Sequence, residues 1–137
     1  MESTRITPHW IESLKPHEIF VFGSNLEGMH SGGAARLALK WGAVWGQGVG
    51  LQGQTYAIPT MHGGVETIQP YVQDFFRFAE AHPEFHFLVT AIGCGIAGFK
   101  VEEIAPLFRL ACAENRANIY LPKSFIQVIN KQNPDGI

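Results

Sequence analysis

The sequence predicts an α/β fold: a three-layer α/β/α sandwich with a mixed, largely parallel central sheet. Three observations carry that expectation. Short apolar segments alternate with amphipathic helical patterns along the whole chain. Residues 18–22 (EIFVF) and 85–92 (FHFLVTAI) are nearly continuous in apolar residues, as strands covered on both faces are. Each of these segments runs into a glycine-rich loop that opens a helical pattern. In such sheets a ligand sits outside the carboxyl ends of the strands, which is where both loops begin.

Taken in order, Thr7 and Pro8 read as the cap and first position of a short helix whose apolar face is Trp10, Ile11 and Leu14. The first strand follows at 18–22, then the first loop to Gly33. A helix is expected over 34–41, stopped by Gly42. Glycines at 42, 46, 48, 50 and 53 leave no periodicity, so 42–53 reads as loop. A short strand at 55–59 (TYAIP) comes next, then a turn at 61–64. Thr67 is expected to cap a helix carrying Val72, Phe75, Phe76 and Ala79 on one face and ending at His82-Pro83. After the strand at 85–92, a helix opens with Glu102 and Glu103 in its first turn, where acidic groups favour the helix dipole. A last strand is expected at 119–121, and 131–137 reads as a flexible tail of one domain spanning 1–137.

Composition narrows the function. With 46% hydrophobic and 16% charged residues, the chain can bury a proper core. A net charge of −2 with no Lys/Arg cluster gives no nucleic-acid footprint. No apolar run reaches the ~20 residues of a membrane span, and no signal peptide is visible, so a cytoplasmic protein is expected. The two cysteines, Cys94 and Cys112, read as free thiols. The six histidines form no metal-binding pair on a helix, so neither a metal nor a cofactor is expected.

The chemistry concentrates in the two loops. Gly93-Cys94-Gly95-Ile96-Ala97-Gly98 spells G-x-G-x-x-G between a strand and a helix. It stands late in the chain, and no carboxylate follows at the spacing that a dinucleotide ribose needs, so a Rossmann domain is not expected. The backbone N–H groups of such a loop still suit an anion, and its glycines equally suit a tight turn. In the first loop, Gly23, Ser24 and Asn25 end a strand. Ser31, Gly32, Gly33 and Ala34 then open a helix whose small residues could accept a ligand or close packing. Asn25 suits a turn or a hydrogen bond to a ligand hydroxyl. Cys94 suits either an activated thiol or a small buried residue of a turn. Trp41 and Trp45 suit either packing or stacking on a base, and Glu27 and His30 are the nearest titratable groups.

This pair of loops resembles macro domains, the ADP-ribose-binding fold. The carrying residues are Asn25 with Ser31-Gly32-Gly33-Ala34, and Gly93-Cys94-Gly95-Ile96-Ala97-Gly98-Phe99, with residues 55–60 as the middle strand. The chain also looks similar to a group of bacterial and phage proteins with macro-like sequences. The resemblance implies a pocket for ADP-ribose or a related nucleotide diphosphate-sugar, free or carried on an ADP-ribosylated protein. It implies ligand contacts from Gly23, Ser24, Asn25, Ser31, Gly32, Gly33, Ala34, Gly93, Cys94, Gly95, Ile96, Ala97, Gly98 and Phe99. It also makes Asn25 the candidate catalytic residue if the chain is an ADP-ribosyl hydrolase. A non-catalytic regulatory or protein-interaction domain that binds another nucleotide is the alternative. The sequence leaves open the oligomeric state and the choice between hydrolysis and binding alone.

Overall fold

The computed structural model describes residues 5–112 and 116–132. Five strands form one sheet: β1 (Glu18–Ser24), β2 (Gly50–Gln52), β3 (Thr55–Pro59), β4 (His86–Val89) and β5 (Ile119–Tyr120), in the order β2-β3-β1-β4-β5. β1 pairs in parallel with β3 and β4, and β4 with β5; β2 alone is antiparallel, against β3. The expected α/β sandwich with a largely parallel sheet is therefore the fold observed.

Alternation along β1 explains its position at the centre. Ile19 and Val21 point into the larger core, and Phe20 and Phe22 into the smaller one on the other face. The larger core holds the buried faces of α2 (Val65–Ala81), α3 (Val101–Ile104), the 3₁₀ turns 105–112 and α4 (Lys123–Gln132). Phe75, Phe87, Phe108 and Phe125 are fully buried there, each contributing roughly 1.5–3 kcal/mol. The smaller core is covered by α1 (Gly33–Ala38), whose Ala35 and Ala38 let it lie close to Phe20 and Phe22.

Several expectations need correction. Residues 7–14 form no helix; Ile6 bridges in parallel to Leu121, and the Thr7 N–H donates to the Leu121 carbonyl at 2.8 Å, so a tertiary strand contact overrides the local cap signal. The glycine-rich 42–53 contains β2, held in register by Gly50 opposite Ala57 and Gln52 opposite Thr55. Gly64, not Thr67, is the cap of α2; the Thr67 hydroxyl donates back to the Gly64 carbonyl at 2.6 Å. The helix after the second loop changes to 3₁₀ geometry at Ala105, where Pro106 has no N–H to continue the α pattern. Residues 131 and 132 of the expected tail belong to α4, which buries Phe125, Ile126 and Ile129 and continues through Lys131 to Gln132. Residues 133–137 lie outside the described residues.

Candidate functional site

The carboxyl ends of β3, β1 and β4 lie side by side, and the chain leaves them in opposite directions. After β1 it crosses to α1 on the smaller-core face; after β3 and β4 it crosses to α2 and α3 on the other. Such a parting opens a crevice above the central strand. A cleft of about 290 Å³ lies there, lined from both glycine loops and from the ends of the neighbouring strands.

Gly23 is the floor. A Cβ there would stand 3.3 Å from the Gly93 nitrogen and 3.4 Å from Thr60 Oγ1, so β1 ends squeezed between its neighbours. Two threonines lace those ends together. The Thr60 N–H donates to the Ser24 carbonyl at 2.9 Å, and Thr90 donates to the Val21 carbonyl through its N–H at 3.1 Å and its hydroxyl at 2.8 Å.

The first loop is shaped by side-chain hydrogen bonds to backbone. The Asn25 amide clasps Met29: its Oδ1 accepts from the Met29 N–H at 2.8 Å, and its Nδ2 donates to the Met29 carbonyl at 3.1 Å. One amide hydrogen and lone-pair capacity on Oδ1 stay uncommitted, and Asn25 lines the cleft. The Ser24 hydroxyl donates to the Gly48 carbonyl. His30 is fully buried against Phe22, with Nε2 at 2.9 Å from the Val44 carbonyl and 3.1 Å from that of Gln47. These bonds fasten the first loop to 42–53, which runs behind it as a strap.

The second loop is two nested turns. Gly93 has φ of 74°, the Phe99 N–H donates to its carbonyl at 2.8 Å, and the Gly98 N–H donates to that of Gly95 at 3.0 Å. Phe99 and Cys94 pack on the larger core. Burial pushes the Cys94 thiol up, with the charges of Glu102 and Glu103 adding to it, so the position after the strand does not activate this cysteine. Ile96 points the other way. It is 73% exposed, and its Cδ1 lies 3.3 Å from where a Gly32 Cβ would be, so its side chain spans the cleft mouth.

Of the residues expected at the site, Gly23, Ser24, Asn25, Ser31, Gly32, Gly33, Ala34, Gly93, Gly95, Ile96 and Ala97 line the cleft together. Cys94, Gly98 and Phe99 do not; the turn rotates them toward the core or away from the opening. Met29, Thr60, Met61, Thr90 and Ile92 also line it and went unnoticed in the sequence. For Thr60, Met61, Thr90 and Ile92 the signal was position, just beyond the carboxyl ends of β3 and β4. Trp41 packs on Phe20 at 5.0 Å between ring centroids, and Trp45 lies on the strap; neither lines the cleft. Among the described residues, no hydrogen bond takes the backbone N–H of Ser31, Gly32, Gly95, Ile96 or Ala97. Among the described residues, the lining contains no Asp, Glu, His, Lys, Arg or Cys, and no group of His, Cys, Asp and Glu is arranged to hold a metal ion.

No family model, curated protein or solved structure matches this chain. Among the described residues, no helix is long and apolar enough to cross a membrane.

Proposed function

We propose that the cleft binds ADP-ribose or a related nucleotide diphosphate-sugar, with the diphosphate against the two glycine loops. The observation that supports this reading is that both glycine loops line one cleft at the carboxyl ends of parallel strands, and that five of their lining residues, Ser31, Gly32, Gly95, Ile96 and Ala97, have backbone N–H groups that no hydrogen bond takes among the described residues. Backbone N–H groups in such concave loops suit phosphate oxygens. Asn25, held at the mouth by Met29, keeps the hydrogen-bonding capacity to hold a sugar hydroxyl. That no titratable side chain lines the cleft among the described residues favours a binding module over a hydrolase, because hydrolysis there would have no acid or base from those residues within the cleft. An ADP-ribosylated protein is then the natural partner.

Thermal unfolding tests this. A ligand that binds only the folded chain stabilises it by about 2.7 kcal/mol at ~100 times its Kd, enough to raise Tm by several degrees. ADP-ribose in the millimolar range is expected to give that rise, and a folded sample with unchanged Tm removes the reading. Release of ADP-ribose from a modified protein, compared between wild type and Asn25→Ala, separates binding from turnover. Turnover that falls in Asn25→Ala while affinity holds makes the chain an enzyme.

A further inference from the structure

We infer that the cleft selects diphosphates by charge: it takes a diphosphate capped at both ends and discriminates against one that ends in a free phosphate. The inference rests on the binding reading above. Its own basis is the charge inventory of the cleft. Among the described residues, every polar group in the lining is neutral, either a backbone group, a hydroxyl or the Asn25 amide. The charged and titratable groups nearest in sequence do not line it. From the first loop, Glu27 is exposed and His30 is turned onto the strap carbonyls. From the turn after β3, His62 is half-buried with Nε2 3.0 Å from the Thr67 carbonyl, and Glu66 of α2 is exposed; from α1, Arg36 is exposed; from the second loop and the helix after it, Cys94 packs on the core and Lys100, Glu102 and Glu103 are exposed.

A phosphate bonded to carbon or phosphorus groups on two sides carries one negative charge, and neutral N–H donors can replace the water around it. A terminal phosphate carries nearly two charges above its second pKa of ~6. Desolvating the second charge needs a cation to offset it, and none lines the cleft among the described residues. Charge selection of this kind also makes binding insensitive to salt, since no ion pair is there to be screened.

The probes are ADP and its β-phosphate methyl ester, which differ in that one charge and little else. Titration calorimetry at pH near 8 is expected to show the ester binding at least ~10-fold tighter than ADP. Raising salt from about 0.05 to 0.5 M is expected to change the ester's affinity less than ~3-fold. Lowering the pH toward ~5.5 is expected to narrow the gap, as the ADP terminus takes up a proton and the ester does not. Two variants place a cation on opposite walls, Ala97→Lys and Ser31→Lys. In either, the gap at pH 8 is expected to close, and a salt dependence to appear. ADP binding as tightly as its ester overturns charge selection and leaves the binding reading standing. A gap that survives in both folded lysine variants overturns it as well, by showing that the methyl group rather than the charge is recognised. Failure of ADP-ribose, ADP and the ester alike to bind overturns both.

Discussion

The two glycine loops use the same residue for opposite purposes. Where the first loop meets its strap, Gly28 and Gly48 lack a side chain so that two backbones can touch. A Cβ on Gly48 would stand 2.0 Å from the Asn25 carbonyl oxygen, and one on Gly28, whose φ is 70°, would stand 2.3 Å from the Gln47 nitrogen. In the second loop, a Cβ on Gly95 would meet nothing within 4 Å, and the φ there is not left-handed. Gly48 and Gly28 are therefore requirements of the fold, whereas Gly95 leaves space that the fold does not use. Glycine in a loop marks a site only after close packing and a left-handed φ have been excluded, and among the described glycines that exclusion singles out Gly95.

Gly48→Ala tests the closed side of this comparison most severely. The added methyl has backbone on the opposite side and no flexible end to move, so the strap must separate from the first loop. A loss of about 3 kcal/mol or more is expected, the upper range for overpacking, read as a lower urea midpoint. A midpoint equal to wild type would mean that the strap is not seated as described. Gln52→Leu probes the same contact through hydrogen bonds. Gln52 is 3% exposed; its Oε1 accepts from the Val44 N–H at 2.7 Å and its Nε2 donates to the Gln47 carbonyl at 2.8 Å. Leaving the Val44 N–H without this acceptor is expected to cost roughly 1–3 kcal/mol. Gln47→Ala, an exposed control whose amide only reaches the carbonyls of Val49 and Leu51, is expected to cost less than about 1 kcal/mol.

This asymmetry also explains what could be read in the sequence. The central strands were legible because burial on both faces leaves an unbroken apolar run. The cleft's two walls were legible because each glycine loop directly follows such a run. The strap was not, since its order comes from partners far away in sequence: Ser24 with Gly48, and His30 with Val44 and Gln47. Five glycines within it mask β2, whose register is set by β3 rather than by its own residues. Helix α4 was missed for a different reason. Pro122 and the polar residues around 127–132 obscured the Phe125, Ile126 and Ile129 stripe. Side-chain direction within the second loop, which takes Cys94 out of the cleft, depends on turn geometry that no spacing encodes.

Cys94 gives a smaller, pH-dependent test of which way that loop faces. Its thiol is pushed up first by burial and then by Glu102 and Glu103. The thiol therefore stays protonated in the folded protein at pH values where an unfolded one, near ~8.5, has begun to ionise. The stabilisation this implies is complete below the unfolded value and is lost as pH rises through the folded one. In a Cys112→Ser background, alkylation by iodoacetamide at pH 8 is expected to be slower in the folded protein than in the urea-unfolded chain. The difference should shrink as the pH is raised. Equal rates at pH 8 would place Cys94 in the open, with the rest of the cleft mouth.

The smallest effect on stability is expected where the effect on binding is greatest. Gly95→Val adds three carbons to a residue that lines the cleft, with open space around its Cβ direction and no left-handed φ to strain. Nothing in the folded chain resists the change, and replacing glycine narrows the conformations of the unfolded chain, which acts slightly in its favour. A change in unfolding free energy within about 0.5 kcal/mol is therefore expected, the range of surface substitutions. The same carbons occupy the approach to the N–H groups of Gly95, Ile96 and Ala97, the donors assigned to the diphosphate. The rise in Tm given by ADP-ribose should then vanish while the Tm without ligand stays put. These two readings come from one experiment and fail separately. A lower Tm without ligand would show that Gly95 is packed like Gly48, and the contrast between the loops would collapse. An undiminished shift with ligand would keep the contrast but move the anion away from the second loop, leaving the first loop to hold it alone.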